Sequence, residues 1–64
     1  MDAQKITVAA QWMWLSGIAR PGILAFTQVL NVMYHGASFS EEELDEIVDA
    51  AIEEQTTEVR RRSN

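Results

Sequence analysis

Cysteine is absent from these 64 residues, which excludes disulfides and thiolate metal sites. Histidine occurs once, at His35, too few for a histidine-based zinc site within one chain. Basic residues are scarce. Five Lys and Arg stand against ten Asp and Glu, for a formal net charge of −5. That balance disfavours nucleic acid or an anionic membrane as the main partner, since both select a basic surface. Proline occurs once and glycine three times, so helix breaks are few and easily placed. There is no internal repeat, low-complexity tract or linker. The Glu-x-x-His pair of di-iron bundles does not occur, and the acids do not lie in a glycine-containing loop of the EF-hand kind. No cofactor is expected.

What is present is apolar. Hydrophobic residues make up 47% of the chain, too much for a disordered segment of this charge. Sixty-four residues make one domain at most, and a core that small is marginal alone. Without disulfides or metal, association is the remaining route to stability. The lack of cysteine fits a cytosolic setting, and a cytoplasmic location is expected. Charge is unevenly placed. Residues 1–39 carry one acid, Asp2, against Lys5 and Arg20, which gives +1, whereas residues 40–64 carry nine acids and three arginines, which gives −6. A membrane-spanning helix needs about 20 consecutive apolar residues. Here Arg20-Pro21-Gly22 cuts the apolar stretch, and Thr7, Gln11, Thr27, Gln28 and Asn31 dilute both pieces. Asp2 beside Lys5 leaves no clear basic n-region, and Gly17-Ile18-Ala19 is a poor cleavage site, so a signal peptide is not expected.

The patterning predicts an all-α chain: one domain over 1–64, built of an apolar helical hairpin and an amphipathic acidic third helix, with helices near 3–16, 21–35 and 41–58. Asp2 is the candidate N-cap of the first. In that helix Gln4, Thr7 and Gln11 form a polar stripe, and Ile6, Ala9, Ala10 and Met13 form a separate, apolar one. Trp12-Met13-Trp14-Leu15 is apolar on every side. Successive helical residues are about 100° apart, so Trp12 and Trp14 point nearly opposite ways and one small core cannot take both. The second helix has a polar stripe of Thr27, Gln28, Asn31 and His35. Its apolar face is Ile23, Phe26, Leu30 and Met33, flanked by Ala25, Val29 and Val32. Proline suits its first position, and Gly36 suits the residue after its end.

The third helix has the clearest start. Ser40 and Glu43 make a capping box, with Phe39 and Leu44 as its hydrophobic staple. Glu41, Glu42 and Glu43 favour the positive end of the helix dipole, and Arg60, Arg61 and Arg62 the negative end. Glu58 is spaced to pair with Arg62. Leu44, Ile47, Val48, Ala51, Ile52 and Gln55 form a narrow seam that reaches Val59. Thr56-Thr57 weakens the helical pattern, and residues 60–64 are expected to fray.

No group stands out as catalytic. His35 lies near Ser38 and Ser40, but nothing marks either serine as activated, and a histidine at a helix C-terminus suits the dipole. Glu41, Asp45, Asp49 and Glu53 recur every four residues, an acidic row with about 6 Å between members. It reads first as a solvated face and second as a surface for a basic partner. Arg60, Arg61 and Arg62 read as dipole compensation. The informative set is Trp12, Trp14, Leu15, Phe26, Met33 and Tyr34, since aromatics and Met are enriched in interface cores. These six are the candidate partner-binding residues, although most of the large side chains are expected to serve as core and only one or both tryptophans to reach an intermolecular contact.

The sequence therefore predicts a non-enzymatic interaction protein, a homo-oligomer or a subunit bound to a larger protein, in an assembly or regulatory role. In size, acidity and want of chemical groups it resembles small phage-encoded modulators and virion accessory proteins, a likeness carried by no motif. Rival expectations are an acidic inhibitor that mimics nucleic acid in a basic groove, and a membrane-associated protein embedded through residues 6–34.

Overall fold

The computed structural model describes residues 3–63. Three helices follow one another, α1 (Gln4–Leu15), α2 (Arg20–His35) and α3 (Glu41–Ser63), and each packs against the other two. The chain is a small all-α domain. Helices one and two are separate, not one kinked rod. The N-cap expected at Asp2 lies outside the described residues. The residue before α1 is Ala3, which makes no side-chain cap bond.

The end of α1 follows from Gly17. Its φ of +87° is a backbone geometry that glycine adopts without strain. It lets the Gly17 N–H donate to Trp14 O (3.1 Å) and the Ile18 N–H to Met13 O (3.0 Å), a Schellman closure. Helix α2 begins at Arg20, one residue before Pro21, and the Ala19 carbonyl accepts the N–H groups of Gly22 and Ile23. Lys5 sits 5.4 Å from the centre of the Tyr34 ring. This places the start of α1 beside the end of α2, so the two run antiparallel.

Asn31 organises the turn from α2 to α3. Its backbone carbonyl accepts the N–H groups of Gly36 and Ala37. Its side chain donates from Nδ2 to Phe39 O (2.9 Å), and its Oδ1 accepts the Phe39 N–H (3.1 Å). The capping box then forms as the sequence predicts. The Glu43 N–H donates to Ser40 Oγ (3.1 Å) and the Ser40 N–H to Glu43 Oε1 (3.0 Å).

At the centre of the fold lie Ala10, Ile23, Val48 and Ala51, with Met13, Leu24 and Ile52 packed against them. Ile6 and Leu44 are buried as well. The third-helix seam thus faces inward as expected through Ile52, while Val59 at its far end is exposed. Helix α3 runs past the end expected near residue 58, to Ser63. Two local contacts carry it past the threonine pair. The Thr56 hydroxyl donates to Ile52 O (2.9 Å), and Arg62 Nε lies 3.5 Å from Glu58 Oε1, the i,i+4 pair the spacing predicts.

The stripes of α2 are corrected. Thr27 and Asn31 are buried, in line with Ile23 at i, i+4, i+8, whereas Phe26 and Met33 of the expected apolar face are exposed. Polarity misled here because both polar groups find partners inside. The Thr27 hydroxyl donates to Leu24 O (2.8 Å) and Asn31 binds Phe39. A buried polar group whose hydrogen bonds are made costs little, and short side chains such as these let three helices approach closely.

Candidate interaction surface

The distribution of large side chains is inverted relative to an ordinary small domain. Trp12, Trp14, Phe26 and Tyr34 are exposed, and of the five aromatic residues only Phe39 is half-buried. Neither tryptophan enters the core: Trp12 is 66% exposed and Trp14 38%. All six residues singled out as partner-binding (Trp12, Trp14, Leu15, Phe26, Met33 and Tyr34) are on the surface.

Helical register groups most of them. With Ile6 and Ala10 inward, the opposite side of α1 carries Val8, Trp12 and Leu15 at i, i+4, i+7. With Ile23, Thr27 and Asn31 inward, the opposite side of α2 carries Ala25, Val29 and Val32, continued by Phe26 and Met33 toward α1. The antiparallel pair therefore presents one apolar face turned away from the core. Trp14 stands apart, some 160° around α1 from Trp12 at two steps of about 100° each. Single exposed hydrophobic residues are ordinary, but a contiguous group of large ones is uncommon on a soluble monomer.

The acidic row is not the free line that its spacing predicts. Arg20 donates from Nε to Asp49 Oδ1 (2.7 Å) and from Nη2 to Asp45 Oδ1. The two carboxylates, Asp49 foremost, accept its side-chain hydrogen bonds and hold its proton even more tightly than usual. Glu41 and Glu53 remain exposed at the row's ends, so a cation already occupies the middle. Arg61 and Arg62 both approach Glu58, at 3.9 and 3.5 Å, so one carboxylate partly offsets the C-terminal basic cluster.

His35 does not meet a nucleophile. Ser38 Oγ donates to the backbone carbonyl of His35, not to its ring. The ring instead stands edge-on to Phe39, with centroids 5.3 Å apart at 68°, and its buried Nε2 has no hydrogen-bond partner among the described residues. Among those residues no three His, Cys, Asp or Glu side chains are grouped to hold a metal ion. Shallow depressions lie along α2 (Ala25, Gln28, Val29, Val32, Met33), α1 (Gln4, Lys5, Val8, Ala9) and the outer side of α3 (Ala50, Glu53, Glu54, Thr57, Glu58, Arg61), each formed by one helix and open to solvent.

No helix among the described residues is long and apolar enough to cross a membrane. The chain matches no family model, no curated protein and no solved structure.

Proposed function

We propose that this chain is a non-enzymatic protein-interaction module that works through the outward face of α1 and α2. The observation that carries the reading is the exposure of Trp12, Phe26, Val29 and Met33 around a core made largely of Ala, Val and Ile. Leaving large aromatics in water forgoes about 25 cal/mol for each Å² of apolar surface. A chain with so small a core recovers that only by covering them. In this role the partner completes the hydrophobic body of the molecule, and the acidic helix α3 keeps the assembly soluble. An assembly or regulatory accessory role, of the kind small viral proteins play in the cytoplasm, fits such a module.

Arg20 weighs against the nucleic-acid-mimic reading, because it pairs with both central carboxylates of the acidic row and offsets one of their two charges. Embedding residues 6–34 in a membrane is the reading that the exposed apolar face itself would serve, and the test separates it. A photo-crosslinking amino acid is placed at Met33, or at Glu53 as control, in cells that make the chain. Protein adducts at Met33 that vanish with Trp12→Asp are the expected result. Adducts at Glu53 alone, or lipid adducts alone at Met33, would refute the proposal.

A further inference from the structure

Resting on that reading, we infer that the occupant of the α1/α2 face is a second copy of the chain, in a two-fold dimer with α3 of each copy on the outside.

Charge is the first argument. From Ala3 to Phe39 there is no carboxylate, and every described acid lies beyond Phe39. The only cations there are Lys5 and Arg20, and Arg20 is turned to Asp45 and Asp49 on α3. Two copies that met through α3 would set glutamate against glutamate. Two copies that meet through α1 and α2 bring no acid into contact. Two helix layers of about 10 Å each then separate the acids of one copy from those of the other. That distance exceeds the screening length of about 10 Å at 0.1 M salt.

Area is the second. The exposed parts of Val8, Trp12, Leu15, Phe26, Val29, Val32 and Met33 amount to on the order of 750 Å², taking about 150–250 Å² as the full surface of each large side chain. A standard interface takes about 800 Å² from each partner. The face has the size a dimer needs without enlisting α3.

Shape is the third. A two-fold interface must be complementary to itself. The outward side of α2 carries a shallow depression lined by Ala25, Gln28, Val29, Val32 and Met33, with the small Ala25 among larger side chains. When α2 crosses its copy, the side-chain rows of each helix can pack between those of the other, the usual packing of helices. Gln28 borders the same depression, and an amide, both donor and acceptor, can pair with its counterpart.

Sedimentation equilibrium on the purified chain, without detergent, tests this. The expected mass is twice the 7.2 kDa of the chain, in low salt and in about 1 M NaCl alike. Met33→Glu and Val29→Glu alter side chains that are exposed in the single chain, so helical content by circular dichroism should hold. Each should weaken the dimer on the order of 100-fold. Glu53→Lys should leave the mass unchanged. A wild-type mass of one chain, or of three or more, overturns the two-fold dimer, as does a dimer indifferent to both glutamate substitutions. If the wild type is a single chain but Met33 crosslinks to a different protein, the second copy is refuted and the interaction reading stands. A single chain with no protein adduct at Met33 removes both.

Discussion

The side chain of Asn31 pairs with both backbone groups of Phe39, donating to its carbonyl and accepting from its N–H. A side-chain amide thus does at the α2–α3 corner what a neighbouring strand does for a backbone. It fixes the last residue before the capping box, and so the line along which α3 departs. Asn31→Leu leaves both Phe39 groups without their partner, and each stranded part-buried group costs about 1–3 kcal/mol. Urea unfolding should show a loss of about 2 kcal/mol or more. Asn31→Asp keeps the shape but sets a carboxylate oxygen against the Phe39 carbonyl, and should be as harmful. Two variants as stable as the wild type would mean that the corner is held by something else.

Thr27 gives the opposite expectation. Its hydroxyl donates only to the carbonyl of Leu24 in its own helix, so nothing across the core depends on it. Thr27→Val keeps the volume and removes a buried polar atom. Stability should stay level or rise by up to about 1 kcal/mol. Thr27→Ser keeps the hydroxyl, deletes the methyl, and should cost about 1 kcal/mol. Reversal of that order in thermal unfolding would show that the hydroxyl, not the methyl, is what the core uses.

Ala37 has a φ of +61°, the left-handed region, directly after Gly36 at +57°. A side chain there costs about 1–2 kcal/mol relative to right-handed backbone. Ala37→Gly should therefore stabilise the chain by about 1 kcal/mol, offset in part by greater freedom in the unfolded state. Loss of stability in chemical denaturation would contradict the turn geometry.

The Arg20 pair with Asp49 and Asp45 ties the start of α2 to α3. Arg20→Gln should lower the melting temperature, and the deficit should shrink in about 1 M NaCl, where exposed ion pairs are screened. The direction with pH follows from the guanidinium, whose proton is bound more tightly in the folded chain than in the unfolded one. Such a contribution is complete below the unfolded pKa and disappears only as pH rises through the folded value. Between neutrality and about pH 11 it should stay constant, because arginine remains charged throughout that range. A wild-type minus Arg20→Gln difference that falls across that window would show that the pair is not the cause.

Much of this architecture was legible in the order of residues. Ser40 and Glu43 announced the start of α3 because a capping box is local chemistry, complete within four residues. Gly36 marked the end of α2, and Pro21 marked its first turn, for the same reason. The inward stripe of α2 was not legible, since polarity alone assigns Thr27 and Asn31 to water. Only their partners, Leu24 within the helix and Phe39 eight residues on, make burial cheap. The Arg20 link was hidden too, being a contact between residues 25 and 29 positions apart. The partner-binding set was chosen for the size and angular spread of its side chains. The expectation that most of them would serve as core fails: all six are exposed, and the centre of the fold is filled by Ala10, Ile23, Val48 and Ala51.

The unequal exposure of the two tryptophans makes the chain its own optical probe. Trp12, two-thirds in solvent, should dominate the red edge of the emission spectrum and be readily quenched by iodide, while Trp14, at 38%, is the more protected fluorophore. Whatever covers the α1/α2 face removes water from Trp12 first, shifting emission to the blue and closing it to the quencher without any label. Dilution of the protein, followed at a single excitation wavelength, then reads directly how much of that face is covered.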